Sequence, residues 1–148
     1  MIKLLCVGKM KDKHQRGIQE EYLKRFTRYR KVDLVEIKEA NPSFEANRII
    51  EDETSRLLAQ IKTDDFVVLF DVVGKSMNSL EFSNLIEKQP KLVIVIGGSL
   101  GFDNRLRNRA NVTISLSAMT FTHLLARIIV LEQLYRSFKI QTNQTYHK

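Results

Sequence analysis

Lys91-Leu92-Val93-Ile94-Val95-Ile96-Gly97-Gly98-Ser99-Leu100-Gly101 is the stretch that decides the fold. Residues 92–96 are aliphatic without polar alternation, the habit of a strand covered on both faces of a parallel sheet. Three glycines within the next five residues either let backbone amides approach a ligand or permit a sharp turn at positive φ. The spacing is not G-x-G-x-x-G, and no acidic residue is placed to hold a ribose, so a dinucleotide fingerprint is absent. Taken alone, the loop reads equally well as a ligand loop or as a turn.

Upstream, Phe66-Val67-Val68-Leu69-Phe70 repeats the same apolar pattern and is a second buried strand. Asp71-Val72-Val73-Gly74-Lys75-Ser76 leaves it. Gly74-Lys75-Ser76 matches the end of a phosphate-binding loop, but the required glycine five residues earlier is Leu69. The segment therefore reads as a tight turn. Asn78 with Glu81 forms a box-like cap for a helix that Pro90 stops, with Leu80, Leu85 and Ile86 facing inward. Before these, residues 2–7 and 32–37 read as strands. Ile18, Tyr22, Phe26 and Tyr29 make the apolar stripe of a first helix, and Ser43 caps a second carrying Phe44, Ile49, Ile50, Leu57, Leu58 and Ile61.

Downstream, residues 103–109 form a short helix with Arg105, Arg107 and Arg109, and residues 111–115 a fifth strand. Leu116-Ser117-Ala118-Met119-Thr120-Phe121 follows. The next helix is apolar from Leu124 to Leu131 except at Arg127, and so is buried in a core or against a second subunit. His123 and Arg127 share one face. Glu132 and Arg136 share the opposite one, so His123 and Arg136 do not serve one site within a single helix. The tail Gln141–Lys148 is polar, and reads as a frayed end or as a segment that orders on substrate. Strands and helices alternate from end to end. The expected fold is α/β, a mostly parallel sheet with helices on both faces, in one domain over residues 1–148.

Charge is unevenly spread. The net charge is +7, made of +7 over residues 1–31, −5 over 32–101 and +5 over 102–148. Two basic ends brought together would attract phosphate, whereas apart they are solvated surface. No apolar run approaches the roughly 20 residues that cross a membrane, and the opening Met1–Gly8 is too short for a signal peptide. A single cysteine fits a reducing, cytoplasmic setting. Three histidines without ligand spacing give no zinc site, and no metal is expected.

Several stretches together resemble a known family. They are Val7-Gly8-Lys9, Tyr22-Leu23-Lys24-Arg25, Asp71-x-x-Gly74-Lys75, Ile96-Gly97-Gly98-Ser99-Leu100-Gly101, Leu116-Ser117-x-Met119-Thr120-x-x-His123, Glu132-Gln133-x-Tyr135-Arg136 and the terminal Tyr146-His147-Lys148. In order and spacing they are similar to the RlmH family, SPOUT-class methyltransferases of 23S rRNA, over the whole chain. The resemblance implies a C-terminal trefoil knot, which periodicity does not show. It also implies a homodimer packed through the last helix. The implied reaction is methyl transfer from S-adenosylmethionine to N3 of a pseudouridine, on 23S rRNA in the 70S ribosome or large subunit.

By motif position, the cofactor would touch Phe70, Gly97, Leu116, Ser117, Ala118, Met119, Thr120 and Phe121. Two positions depart from the family: Thr122 stands where proline is common and Phe70 where leucine is. The catalytic candidates are His123, Arg136, Tyr146 and His147. Either histidine is the candidate base, and Arg136 would steady charge on the uracil oxygens. Lys9, Lys11, Arg25, Arg28, Arg105 and Lys148 would hold RNA. Because His123 and Arg136 point apart, a site composed from two protomers is expected. The competing readings are a basic RNA-binding module without catalysis, and a nucleotide-using enzyme built on Gly74-Lys75-Ser76. Whether S-adenosylmethionine, ATP or neither binds separates the three readings.

Overall fold

The computed structural model of the protein describes residues 1–148. Its elements are β1 (Ile2–Val7), α1 (Lys13–Phe26), β2 (Val32–Ile37), α2 (Ala46–Ala59), β3 (Phe66–Ser76), α3 (Ser79–Glu87), β4 (Leu92–Ile96), α4 (Asn104–Arg109), β5 (Val112–Ser115) and α5 (His123–Gln141). All five strands are parallel, in the order β2-β1-β4-β3-β5. The three central strands alternate side chains to two apolar layers. Ile2, Leu4, Cys6, Val68, Phe70, Leu92, Ile94 and Ile96 face α1, α3 and α5. Leu5, Val7, Val67, Leu69, Val93 and Val95 face Leu57 of α2, Phe102, and Leu106 of α4. An aliphatic run with no polar alternation is thereby explained: both sides of it are covered.

Local sequence sets most boundaries. Asn78 and Glu81 form a complete capping box at α3. Asp12 caps α1 by accepting from the Gln15 amide, and Thr122 caps α5 by accepting from the Leu125 amide at 3.2 Å. Thr122 thus fixes the first turn that a proline would otherwise pre-set.

Four sequence expectations are corrected. Residues 71–76 are not a turn: β3 continues through them, with a register shift between Phe70 and Lys75, and Lys75 and Ser76 pair with Ile114 and Ser115. A Cβ at Gly74 would lie 2.6 Å from the Ile114 backbone, so glycine there serves close strand approach. With Gly74-Lys75-Ser76 in a ladder, no loop remains to cradle a phosphate. Leu80 is half exposed, because Phe82, Ser83 and Ile86 take the inward face of α3. Ile18 is also exposed, and Gln19 is buried in its place. Ser43 does not cap α2. The helix starts after Glu45, without a side-chain cap, and Ser43 bonds Asn41 instead.

The feature that sequence reading undervalued is Arg127. Its side chain is 1% exposed, yet it ties three elements together. The guanidinium meets Glu36 Oε1 at 2.6 Å and donates to Gln19 Oε1, to Val7 O and to Gly8 O at 2.9 Å. A buried charge is tolerated when it is paired and hydrogen-bonded, and four acceptors surround this one. It pins α5 across the carboxyl ends of β1 and β2.

Candidate functional site

The carboxyl ends of β4 and β5, with the middle of β3 where its register shifts after Phe70, open into a cavity of about 720 Å³, close to the edge where open α/β sheets bind ligands. Phe70 and Asp71 enter from β3 and Ile96 through Ser99 from β4. The third wall runs from Leu116 to Leu124, and Phe102 closes the floor. Each segment is shaped by its glycines and turns. Gly101 sits at φ +80°, where a side chain is strained, and its amide donates to Gly98 O at 3.0 Å. A Cβ at Gly98 would meet Glu53 Oε1 at 2.6 Å, and one at Gly97 would meet the Phe102 ring at 2.6 Å. Beneath, Thr54 of α2 accepts from the Asp103 amide and holds the exit of the loop. On the third wall Ser115 donates to Ser117 O, and the Met119 amide donates to Ser117 Oγ.

Of the eight positions expected to touch a cofactor, seven line this cavity: Phe70, Gly97, Leu116, Ser117, Met119, Thr120 and Phe121. Ala118 lies exposed outside the wall. His123, at the start of α5, lines the same cavity, as does Gln15 of α1. Burial first, and then the nearby Arg127, hold the His123 imidazole below its usual range, while Glu39 acts against them. Glu53, under the glycine loop, has its carboxyl raised by burial first, opposed by the Ala40 amide that donates to it.

A second cavity of about 530 Å³ shares Phe70 and Leu116 with the first. Asn78, Ser79, Phe82, Gln133 and His147 also line it. The tail closes this side. Tyr146 packs edge-on against Tyr135 at 5.0 Å, lies under the Arg136 guanidinium at 4.8 Å, and donates its hydroxyl to Glu132 Oε1 at 3.2 Å. Burial first, and then Glu132, push the Tyr146 phenol up to about 12. Glu132 also accepts from Arg136 at 2.6 Å and from Gln133 at 2.8 Å. Arg136 Nη1 reaches His147 Nδ1 at 3.2 Å. The tail is therefore docked on α5 and is not a frayed end.

Thus Arg136, Tyr146 and His147 are together, and His123 is apart from them. Thirteen residues of helix separate His123 from Arg136, about 20 Å at 1.5 Å per residue. The six basic candidates are also dispersed within one chain. Lys9 and Lys11 follow β1 on the cavity side, and Arg25 and Arg28 lie around the opposite end of α1. Arg25 pairs with Glu21 and stacks over Tyr22 and Tyr135. Arg105, in the other helical layer, is engaged by Asp103, Ser55 and the Glu51 carbonyl. Lys148 is exposed at the end of the tail. Sequence reading missed the contributions of Phe102, Gln15 and Glu53. Only the adjacent pair Gly97-Gly98 could have hinted that large side chains lie behind them.

No helix is long and apolar enough to cross a membrane. Comparison with known proteins adds two findings. Residues 1–147 match the family model described as "Predicted SPOUT methyltransferase". Full-length relatives named Ribosomal RNA large subunit methyltransferase H are 40% identical in Caldicellulosiruptor saccharolyticus, covering 100% of both chains. Those of Oenococcus oeni (40%, 99% of this chain and 98% of the relative) and Clostridium botulinum strain Loch Maree (41%, 99% of both) are similar to the same degree.

Proposed function

The chain belongs to the SPOUT methyltransferase family, in its RlmH branch, and from that premise we propose that it methylates N3 of a pseudouridine in 23S rRNA using S-adenosylmethionine. The observation that carries the reading is the 720 Å³ cavity whose three walls coincide with seven of the eight expected cofactor positions. Its character suits the donor. Phe70, Ile96, Leu116 and Phe121 offer apolar surface to an adenine face, and the glycine-rich loop offers unobstructed backbone to its edges. When bound, the cofactor supplies an electrophilic methyl on a sulfonium.

The residues have four tasks. Phe70, Gly97 and the 116–121 segment hold and orient the donor, which is the larger part of a transfer reaction. A base takes the N3 proton as the nitrogen becomes the nucleophile. His123 on the cavity wall and His147 in the tail are the candidates, and His123 is held neutral near pH 7 by burial. Arg136 steadies negative charge on the uracil oxygens through His147, which it holds at 3.2 Å. Tyr146 and Lys148 hold RNA with Lys9, Lys11, Arg25, Arg28 and Arg105, whose scatter over one protomer suits a large curved substrate such as the ribosome.

We further propose a homodimer of single 1–148 domains in the cytoplasm, each knotted where residues 116–122 pass into α5. Leu125, Met119 and Ile18 are exposed apolar groups around that helix start and the facing α1, and would form the seam. The site would then combine the donor cavity of one protomer with the tail of its partner.

A radiolabelled methyl-transfer assay on ribosomes from a strain lacking the gene tests the activity, with mapping of the modified base. Calorimetry with S-adenosylmethionine and with ATP separates the alternatives. Binding of neither would leave a non-catalytic RNA module, and binding of ATP alone would overturn the reading. Mixing a His147→Ala chain with a Gly98→Leu chain tests the shared site. Neither parent should act alone, and the mixture should regain activity if the site spans two protomers.

A further inference from the structure

Which histidine can act as base is decided by what each ring nitrogen faces. Arg136 is a guanidinium, which has donors only and is not deprotonated in proteins. Its Nη1 lies 3.2 Å from His147 Nδ1, so that nitrogen must offer its lone pair. A neutral imidazole with Nδ1 accepting carries its proton on Nε2.

The guanidinium is itself fixed. Glu132 holds Nη2 at 2.6 Å and Nε at 3.1 Å, and the same carboxylate accepts from Gln133 and from the Tyr146 hydroxyl. The Tyr146 ring lies against the guanidinium. Gln133 is engaged on both groups in turn, since its carbonyl accepts from Ser79 Oγ at 2.6 Å. Every partner in this network has its donor and acceptor roles assigned, leaving His147 Nε2 as the free ring nitrogen. The cavity that His147 lines contains no second titratable side chain to take or give a proton. In the shared site proposed above, this cavity and its tail face the donor cavity of the other protomer.

We infer that His147 is a hydrogen-bond donor, not the base: its Nε2–H reads a carbonyl oxygen of the target nucleobase, and Glu132–Arg136 is the positioning pair that sets its tautomer. This rests on the methyl-transfer reading and deepens it. It leaves His123 as the one pocket histidine able to accept the N3 proton. No proton moves through His147. It holds the base by an oxygen while the N3–H bond breaks elsewhere.

Nitrogen-15 NMR of the imidazoles in the full chain, without RNA or donor, checks the tautomer directly. Neutral His147 protonated at Nε2 is expected. A ring protonated at Nδ1, or at both nitrogens near neutral pH, overturns the assignment. Arg136→Met should release the ring into a mixture of tautomers, and an unchanged spectrum would show that Arg136 does not set it.

The role is read from side chains that mimic one nitrogen at a time. His147→Gln keeps an N–H donor near the Nε2 position and has no basic nitrogen. It should retain methyl transfer within about tenfold of wild type, while His147→Ala and His147→Asn lose on the order of a hundredfold. A Gln variant as inactive as Ala overturns the donor role. A wild-type chain that transfers no methyl overturns the proposed function and the recognition role with it, whatever tautomer the spectrum gives.

Discussion

The two ends of α5 are built by opposite means. At its start, around His123, the site is made of backbone and apolar surface: glycines 97, 98 and 101, the capped turn at Thr122, and the rings of Phe70, Phe102 and Phe121. At its far end the site is a network of named functional groups, Glu132, Arg136, Tyr146 and His147, with every proton assigned. A backbone-built cavity tolerates exchange of its side chains but not an added Cβ. A functional-group network tolerates neither, yet contributes little to stability, because its ion pair is partly solvated.

The sharpest way to break that comparison is to remove the tail. Deleting residues 146–148 should abolish methyl transfer, a loss on the order of 10²–10³-fold, while S-adenosylmethionine affinity and the urea midpoint stay unchanged. Transfer assays and calorimetry on the same preparation read both. Full activity in the truncated chain would remove Tyr146 and His147 from the chemistry altogether.

One turn into α5 sits Arg127, and its loss should spare neither end. Arg127→Met leaves Glu36 without its partner and strands the Val7 and Gly8 carbonyls. Breaking a buried pair costs about 3–5 kcal/mol. The lower end applies here, since the Glu36 side chain keeps 23% exposure and can still be hydrated. Urea unfolding should show a fall of about 3 kcal/mol. A change below about 1 kcal/mol would mean that the clamp is surface-like.

The contrast also explains what could be read from the chain. Residues 92–96 and 66–70 announced buried parallel strands because burial on both faces forbids polar alternation, and β4 is found where they said. The 116–121 wall was legible only through resemblance, and the glycine loop alone read equally as a ligand loop or a turn, because glycine permits both. Arg127 was not legible. A lone arginine in an apolar helix looks the same whether it faces solvent, a partner subunit or, as here, the carboxyl ends of two strands 91 and 120 residues away in sequence. The continuation of β3 through Gly74 was hidden for a related reason. Glycine signals both a turn and a close approach, and only the neighbouring Ile114 backbone decides between them. The tail was visible through resemblance alone, since polar termini carry no periodicity.

Gly74→Ala sharpens the point about close approach. The new methyl would sit 2.6 Å from the Ile114 backbone, which cannot swing aside as a side chain can. Overpacking of this kind costs about 1–3 kcal/mol. Because β5 leads directly into Leu116, the shifted strand should also weaken S-adenosylmethionine binding, whereas tail substitutions should not. Gly98→Ala should do less, since the nearest atom is the end of the Glu53 side chain, with Val7 next at 3.2 Å, and Glu53→Ala in the same chain should restore part of the donor affinity. Calorimetry across the set ranks them.

The smallest effect belongs to His123 and carries a definite sign. Burial first, then Arg127, lowers its imidazole below the ordinary 6.5, so the folded chain prefers the neutral ring. A depressed folded value means that the unfolded chain takes up the proton first as pH falls. The stability that the neutral ring contributes is present above 6.5 and is lost as pH drops through the lower folded value. Urea midpoints measured at about pH 7.5 and about pH 5 should therefore fall further for wild type than for His123→Gln. If His123 takes the N3 proton, methyl transfer should lose rate over that same acid range, and donor binding at neutral pH should not change with the substitution. A wild-type rate that stays flat while its stability falls would separate the two roles. The histidine would then be a buried wall of the backbone-built end, and the base would have to be sought among water or the RNA itself.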